Sequence, residues 1–590
     1  MRTLKHLLVA LGALAAIIAV VFGIGLWNFR TRALHMKGEM RLTASKAAQA
    51  MKDMEPHRAG LYLAMVQGQL KQLEGALSLW REFVPFLNSV ATELEGAHGL
   101  ANASAGIAQD LDFLKRNGAQ LILTGKGLEF IATLKRLRAN IELVAPTANK
   151  EEVYTALSMI DASVAWLDSP ETQNVLVLFQ NPSEIRPGGG FLGSFAHLSL
   201  NHASLTSLEV QDIYDPDGQL TSKIIPPVAL QKLTTNWGAR DANWFADYPT
   251  SARKVARFLE ASRIYRDRHM RFSGAIAINV NLIGDILAIT GPLELPQADG
   301  TTLTLDAKTF VAALQEDVET KQSKGIVKQA TPALFAKLSS LQDDGKKALV
   351  LAIGKRIANK DVMAYFANPV MEAYMQSLGA GGELYPTPER FPGSYLAVVY
   401  ANIAGGKTDA YATQSLTLDE TLARDGSVTD MLSIERKNGG DVRTERWYNT
   451  MSRTYVQLLT APGTTLASLS GGYARDIKST IDYAKAGYSA DPDLAADGGK
   501  ATFSTWIDID PGETKTIAAA YSRQTGLTFD AEETPYSFVF DKQSGIDGPF
   551  TATFHAPQGM IWKESGTDTL SYATDNPPAR IVIPLTVVRP

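Results

Sequence analysis

The chain has 590 residues, no cysteine and a formal net charge of −5, with 45% hydrophobic and 20% charged residues. The absence of cysteine excludes disulfide bonds, thiolate metal sites and cysteine nucleophiles, and the lack of a basic excess argues against nucleic acid as a partner. Because one hydrophobic core rarely extends beyond about 250 to 300 residues, this length predicts two to four domains.

A long uncharged segment lies near the N-terminus. Residues 7–27, LLVALGALAAIIAVVFGIGLW, carry no charged side chain, and a helix of this length crosses a hydrocarbon core of about 30 Å. A cleavable signal peptide would have a shorter apolar region and a clearer cleavage site. We therefore predict that residues 1–29 form a short cytoplasmic tail and an uncleaved single-pass anchor in the cell membrane, with the bulk of the chain extracytoplasmic.

Residues 30–169 have a helical pattern. Apolar residues recur at spacings of three and four, as in GLEFIATLKRLRANIELV, which is typical of helices that bury one face. This region is predicted to be a helical spacer built from stacked or hairpin helices.

Residues 170–392 alternate strand and helix patterns, which predicts an α/β domain. Strands are indicated by short apolar runs, and helices by apolar spacing together with start and stop residues. The predicted elements are a strand over 174–180, a hairpin over 191–211 that turns at 201–203, a helix over 249–262, a strand over 272–280, and a helix over 281–290 that ends at Gly291-Pro292.

Residues 393–590 have the short strands and frequent turns of a β-sandwich. Strand patterns such as SYLAVVYAN, TYVQLLTA and ARIVIPLTVV alternate with turns such as IDPGET. No cluster of carboxylates or histidines recurs there, so this region is predicted to be a separable module without catalytic groups. The glycines and prolines of GAGGELYPTPERFP at 379–392 predict an exposed connection that limited proteolysis would cut.

One arginine stands next to a glycine cluster in QNPSEIRPGGGFLGSF. Pro187 biases Arg186 toward an extended conformation, while Gly188, Gly189 and Gly190 allow close backbone approach and leave amide groups unshielded. This arrangement predicts an anion-binding turn that could hold a phosphate. The alternative is a flexible turn in which Arg186 is solvated or bound in a salt bridge.

Acidic residues follow the predicted hairpin. Asp212, Asp215 and Asp217 could supply hard oxygen ligands for Mg²⁺ or Ca²⁺, and Arg240 with Asp241 could close the site on a substrate. The alternatives are a plain Asp-Pro-Asp-Gly turn and a structural ion pair. Transfer from a diphosphate needs cationic groups on its oxygens and usually a divalent metal, so these residues together suit that chemistry.

Five segments between residues 171 and 410 carry a resemblance to a known family. They are QNPSEIRPGGGFLGSF, VQDIYDPDGQ, RDANWFADYPTSA, GAIAINVNLIGDILAITGPLELP and VVYANIAGGKTDAY. With its RPxGGF signature the chain resembles the bacterial domain-of-unknown-function family numbered four thousand and twelve. The resemblance implies an N-terminal membrane segment, a helical spacer, the signature domain and a β-rich C-terminal part, but no reaction.

The order of elements also resembles that of the LytR-CpsA-Psr phosphotransferases. That resemblance implies an α/β/α core, binding of polyprenyl-diphosphate lipids through arginines, a metal near acidic residues, and transfer of the attached glycan to the cell wall. Arg186 matches the arginine of the first motif, which implies Arg186, Asp212 and Asp215 as catalytic residues with Mg²⁺ as cofactor. The acidic loop lacks the arginine of that family, and only Lys328 stands near its later arginine pair.

Two functions therefore remain open. The first is a membrane-anchored glycan phosphotransferase, or a relative that binds lipid-diphosphate-linked glycans. The alternative is a non-catalytic scaffold of the cell envelope, which the missing arginines favour. An elongated apolar tunnel opening at Arg186 would support the first, because a polyprenyl chain needs such a site. The sequence does not indicate an oligomeric state.

We expect alkaline phosphatase fused after Pro590 to be active in cells, because the predicted anchor would export the chain that follows it. A reporter that works only in the cytoplasm should be inactive at the same position. The opposite pair of results would contradict both the orientation and the envelope location.

Overall fold

The computed structural model describes most of the chain as two compact units. One unit is Met1–Pro170 with Asn201–Leu205, and the other is Glu171–Leu200 with Thr206–Pro590. The described residues are 2–81, 84, 87–297, 299–321, 325–388, 390–441, 445–495 and 499–590, of which 2–18, 79–81, 321 and 495 are described by their backbone alone.

The first unit is helical, as the apolar spacing predicts. Buried leucines and alanines at that spacing join neighbouring helices into small cores, such as the one formed by Leu134, Leu137, Ile141 and Ile160. Its helices are α1 (Arg2–Lys52), α2 (Pro56–Arg81), α3 (Leu87–Leu123), α4 (Gly127–Val144) and α5 (Lys150–Leu167).

The predicted membrane anchor falls on the N-terminal part of α1. The side chains of its first residues, 7–18, lie outside the described part of the chain. Over the residues that are described, no helix combines the length and the apolar character needed to cross a membrane. The anchor is thus not confirmed and stays a prediction.

The first part of the second unit is a mixture of helices and strands, which confirms the mixed α/β class. Its strands and helices are β1 (Gln173–Asn181), β2 (Phe191–Asn201), β3 (Ser204–Asp212), α6 (Tyr214–Asp217), α7 (Tyr248–Ala261), α8 (Arg263–Arg266), β4 (Gly274–Asn279), α9 (Val280–Thr290), β5 (Leu293–Pro296), β6 (Thr302–Leu305), α10 (Phe310–Lys321), α11 (Gly325–Ser339), α12 (Asp343–Ala358), β7 (Val362–Phe366) and α13 (Pro369–Ser377).

Five of these strands form one mixed sheet in the order β3, β2, β1, β4, β7. Strand β1 is antiparallel to β2 and parallel to β4, and β7 is antiparallel to β4. Successive side chains of a strand point to opposite faces. Leu176 and Leu178 therefore pack into the core that includes Val255 of α7, whereas Val177 and Phe179 line the opposite side of the sheet.

The helices flanking the sheet begin and end where the sequence signals predict. Helix α7 starts after Asp247, whose carboxylate accepts a hydrogen bond from the Thr250 amide at 3.1 Å. Helix α9 starts after Asn279, whose side chain accepts from the Asn281 amide at 3.0 Å. It ends at Gly291, where a φ of 77° suits a residue without Cβ.

The hairpin β5–β6 and helices α10 and α11 cover α9. Leu287 of α9 shares a small core with Leu293, Leu305, Phe310 and Ile326. Because this core forms on α9 itself, α10 and α11 are held beside the sheet without filling the space over it.

The rest of the second unit consists of two six-stranded sheets with a common core, the two-layer arrangement that the strand spacing predicts. The sheet orders are β12, β14, β10, β9, β16, β18 and β13, β11, β8, β15, β19, β17. The strands are β8 (Gly393–Asn402), β9 (Ala412–Leu422), β10 (Ser427–Asn438), β11 (Ser452–Thr460), β12 (Thr465–Ser470), β13 (Ala501–Ile509), β14 (Thr514–Gln524), β15 (Glu533–Asp541), β16 (Phe550–His555), β17 (Ile561–Trp562), β18 (Thr569–Thr574) and β19 (Arg580–Val588).

The connection over residues 379–392 is hydrogen-bonded to the α/β part and to the sandwich. That the sandwich is a separable module stays a prediction. Within that connection the Leu384 amide donates to Asp247 Oδ1 at 3.1 Å, and the Tyr385 amide donates to Asp541 Oδ2 at 2.7 Å. These bonds tie the connection to α7 and to β15. The α/β part and the sandwich belong to one compact unit because the connecting backbone is hydrogen-bonded to both.

A pair of buried carboxyl groups lies inside the sandwich. Glu420 on β9 faces Asp430 on β10, and both are at most 5% exposed. The Tyr536 hydroxyl donates to Glu420 Oε1 at 2.6 Å. Burial raises the pKa of both carboxyls, and the Glu420 charge raises the pKa of Asp430 further. Two like charges in contact within a core are unfavourable, so the folded pair holds a proton at pH values at which exposed carboxyls are already ionised.

We expect Asp430→Asn to make the protein more stable at pH 8 and to flatten its stability between pH 4 and 8. In the wild type, the unfolded carboxyls ionise above about pH 4 while the folded pair still holds its proton, so the free energy of unfolding falls as pH rises toward the folded pKa. Each unit of pKa difference corresponds to about 1.4 kcal/mol.

Urea unfolding at a series of pH values measures this effect. The matched control is Glu435→Gln, an exposed carboxylate on the same strand, which should leave the pH dependence unchanged. An equal slope in wild type and Asp430→Asn would show that the pair does not titrate as described.

Candidate functional site

An apolar cavity of about 630 Å³ lies between the mixed sheet and helices α9, α10 and α11. Its floor includes Val177 and Phe179, which are only partly buried although they belong to the central strand of the sheet. Its opposite wall comes from apolar side chains of the three helices, among them Ile283, Leu314, Leu334 and Phe335. The cavity exists because this part of the sheet is covered but not filled.

Charged side chains are concentrated at one part of the cavity wall. Two come from the loop after β1, two from the turn before α7, and one from the loop after β8 of the sandwich. They are Glu184, Arg186, Arg240, Asp241 and Lys407.

Arg186 is almost completely buried, with 2% of its surface exposed. Its Nη1 group donates to the carbonyl oxygens of Ile185 at 3.2 Å and Asn402 at 2.5 Å. Its Nη2 group donates to Glu184 Oε1 at 2.8 Å. Within the described residues its Nε–H has no hydrogen-bond acceptor. The guanidinium therefore bonds twice within its own loop and joins that loop to the sandwich through the Asn402 carbonyl.

Glu184 lies between two cations. Its Oε1 accepts from Arg186, and its Oε2 accepts from Lys407 Nζ. Both cations also lie over the ring of Phe191, at 5.3 Å and 5.2 Å from its centroid. Burial opposes the ionisation of Glu184, but the charges of Arg186 and Lys407 outweigh it and lower the pKa of the carboxyl. Glu184 is therefore an anion at neutral pH.

Arg240 and Asp241 form a second pair beside the first. Arg240 Nε donates to Asp241 Oδ2 at 2.9 Å, and its guanidinium lies 5.1 Å from the centre of the Tyr214 ring. The other carboxylate oxygen of Asp241 lies 3.9 Å from Arg186 Nη2. The structure thus brings together Arg186, Arg240 and Asp241, as the sequence predicts for the substrate-binding residues.

Two of the three glycine amides are hydrogen-bonded within the protein. The Gly188 amide donates to the Asn243 carbonyl at 3.1 Å, and the Gly189 amide donates to the Arg186 carbonyl at 2.8 Å. The Gly190 carbonyl accepts from Asn243 Nδ2 at 2.8 Å. A Cβ at Gly188 would lie 2.0 Å from Asn243 Oδ1. The amides of Gly188 and Gly189 therefore have partners within the protein, and the missing Cβ of Gly188 permits close packing against Asn243. The anion-binding role of the cluster stays a prediction.

The three aspartates do not form a metal-binding group in this structure. Asp217 accepts hydrogen bonds from the amides of residues 239 and 240 at 2.7 and 3.2 Å, and burial raises its pKa although these bonds act against it. Asp212 accepts from the Tyr214 amide at 3.0 Å, and Asp215 is exposed. In the described part of the chain, no three acidic or histidine residues are grouped closely enough to hold a metal ion. The donor set does not fit Mg²⁺.

Lys407 and Glu184 are the site residues that sequence reasoning missed. Lys407 lies in AGGKTDAY, which belongs to the segments that carry the family resemblance, yet its position in the β-rich part hid its role. Lys328, the counterpart suggested for a second arginine pair, is exposed and does not line the cavity.

We expect Arg186→Ala to lower the free energy of unfolding by about 3 to 5 kcal/mol, because it removes the compensating charge of a buried carboxylate and the bonds to the sandwich. Denaturant unfolding followed by tryptophan fluorescence measures this change. The control, exposed Arg263→Ala on α8, should change stability by less than about 0.5 kcal/mol. A fully stable Arg186→Ala would mean that the arginine serves a ligand alone.

The comparisons with known proteins bear on part of the chain. No curated protein matches the chain. Solved structures align with it weakly: a protein from Streptococcus agalactiae at 12% identity over 37% of this chain and 76% of that chain, with a TM-score of 0.23; a transcriptional regulator from Enterococcus faecalis at 14% identity over 36% and 74%, with a TM-score of 0.21; and a transcriptional regulator from Bacillus subtilis at 10% identity over 36% and 78%, with a TM-score of 0.17.

TM-scores this low carry no argument about fold or activity. The family model is more informative because it covers one defined part of the chain, residues 170–318. That stretch includes Glu184, Arg186, Arg240 and Asp241. Residues 170–318 match the family described as protein of unknown function (DUF4012).

Proposed function

We propose that this protein binds a long-chain lipid with a phosphate-bearing head. The apolar chain of the lipid occupies the cavity beneath α9 to α11, and its head lies at the charged part of the wall. The proposal rests on one observation: apolar side chains and three cationic side chains line the same cavity. In this proposal the predicted N-terminal anchor keeps the protein at the membrane that supplies the lipid.

The apolar walls support the lipid chain. Val177 and Phe179 are half-buried on the central strand of the sheet, where side chains are normally covered. Hydrocarbon that enters such a space gains about 0.8 kcal/mol for each buried CH₂ group. A linear or polyprenyl chain gives many such groups along an elongated site, whereas a small polar metabolite would leave the walls uncovered.

The charges support an anionic head. Arg186, Arg240 and Lys407 supply three positive charges, and Glu184, Asp241 and the exposed Glu319 supply three negative charges, so the lining is balanced overall and an anionic head would bind at the cations themselves. The side chains of Arg240 and Lys407 are 26% and 13% exposed, which lets them reach a ligand. Phosphate oxygens are the acceptors that guanidinium and ammonium groups bind most strongly.

The proposal is one of binding, and it includes no transfer step. Asp217 accepts hydrogen bonds from the backbone amides of residues 239 and 240. Among the described residues, no three acidic or histidine side chains lie close enough together to hold Mg²⁺. The resemblance in element order to the LytR-CpsA-Psr phosphotransferases supports a lipid-diphosphate-linked glycan as the ligand. A non-catalytic envelope scaffold is the second candidate, favoured by the bond between Arg186 and the Asn402 carbonyl of the sandwich.

We expect the full chain in detergent to bind geranylgeranyl phosphate, and two substitutions to weaken that binding. Leu334→Trp fills the apolar cavity and should abolish it. Lys407→Gln removes one charge-assisted hydrogen bond and should weaken it about ten- to a hundredfold. Isothermal titration calorimetry gives the affinities.

Matched controls lie on exposed positions of the same unit. Leu351→Trp on α12 and Lys437→Gln on β10 make the same chemical changes away from the cavity, and both should bind like the wild type. If the wild type fails to bind the lipid, or Leu334→Trp binds it equally well, the proposed function is wrong.

A further inference from the structure

The donors that a phosphate head would need are already occupied by a side chain of the protein. Glu184 accepts from Arg186 Nη2 through one carboxylate oxygen and from Lys407 Nζ through the other. Its side chain is 19% exposed and forms part of the cavity wall. The carboxylate therefore lies where two of the three cations converge.

We propose that Glu184 is a resident counter-anion with which the lipid head competes for Arg186 and Lys407. Glu184 thereby sets the affinity of the site and its dependence on the charge of the head group. This inference rests on the proposed function, because it concerns the same cavity and the same cations.

The need for such a residue follows from the burial of Arg186. A guanidinium that is 2% exposed requires a counter-charge when no ligand is present. Glu184 supplies this counter-charge through its bond to Arg186 Nη2. When a phosphate binds, its oxygens accept the hydrogen bond of Lys407 Nζ in place of Glu184 Oε2, and Glu184 either stays bonded to Arg186 or moves away from it. Lys407 thus exchanges the Glu184 carboxylate for the lipid phosphate and has an anionic partner in both states.

The other carboxylates near the site do not share this position. Asp241 bonds to Arg240 at 2.9 Å and lies 3.9 Å from Arg186. Glu319 on α10 also lines the cavity, but it is exposed and accepts a hydrogen bond from Gln315 at 2.7 Å. Only Glu184, among these three, is bonded to two cations of the cluster.

Electrostatics predicts a specific signature. The repulsion between the Glu184 carboxylate and a ligand grows in proportion to the ligand charge. Removing the charge of Glu184 should therefore strengthen the binding of a doubly charged phosphate more than that of a carboxylate, and should leave a neutral alcohol unaffected. A residue that only positioned Arg186 and Lys407 would have the reverse effect, because its loss would weaken every anion.

The experiment uses four ligands with one geranylgeranyl chain, so that the apolar contribution is constant. They are the alcohol, the carboxylate, the monophosphate and the diphosphate, which carry increasing negative charge. Affinities of the full chain are measured for wild type, Glu184→Gln and the control Glu435→Gln, which removes an exposed charge of β10 away from the cavity. The Gln side chain retains an oxygen that can accept from Arg186.

We expect the affinity of Glu184→Gln for the carboxylate to exceed that of wild type about tenfold. The gain over wild type should be larger for the monophosphate and largest for the diphosphate. The alcohol should show no change. Glu435→Gln should alter each affinity by less than about threefold, because its exposed charge is screened by solvent.

The inference is overturned if Glu184→Gln weakens the charged ligands, or if its gain is the same for all four. Failure of the proposed function has a different result, since neither wild type nor variant would then bind any of the lipids.

A second measurement is independent of the folding of the variant. In a structure of the wild type with the monophosphate, Lys407 Nζ should contact a phosphate oxygen and lie more than about 4 Å from Glu184 Oε2, beyond hydrogen-bond distance. If Lys407 still bonds to Glu184 in that complex, the two anions do not compete and the inference fails.

Discussion

The buried guanidinium of Arg186 is the constraint on which the second unit depends. A charge removed from water has to be compensated by hydrogen bonds and an opposite charge, or it costs several kcal/mol. Arg186 meets this demand with the carbonyls of Ile185 and Asn402 and with the carboxylate of Glu184. Asn402 is the last residue of β8, so its bond to Arg186 joins the loop after β1 to the sandwich. The same contact brings Lys407, in the loop after β8, to the cavity.

The cavity follows from how the remaining elements are supported. Helices α10 and α11 rest on α9 through their own small core around Phe310 and Ile326, so they cover the sheet without inserting side chains into it. Val177 and Phe179 are left as an apolar floor. The cavity is lined by apolar side chains and, at one part of its wall, by paired charges. This combination is the basis for proposing an amphiphilic ligand.

Much of the local structure was predictable because its causes are local. The apolar run of 174–180 indicates a strand, the apolar spacing of 249–262 indicates a helix, and Gly291-Pro292 marks a helix end. Arg186, Arg240 and Asp241 were also recognised as site residues from their types and neighbours. The hydrogen-bond partners of the Gly188 and Gly189 amides were not predictable, because those amides acquire partners only when the chain folds.

The sequence by itself determined the element types, the mixed α/β class and the one cationic residue of the loop after β1, Arg186, since these depend on spacing and on neighbouring residues. Only the tertiary structure decided which charges meet. Glu184 and Lys407 are 223 positions apart, and nothing in a linear pattern relates them. The cavity is likewise a tertiary property, because an unfilled volume depends on the separation of packed layers, which hydrophobic periodicity does not encode.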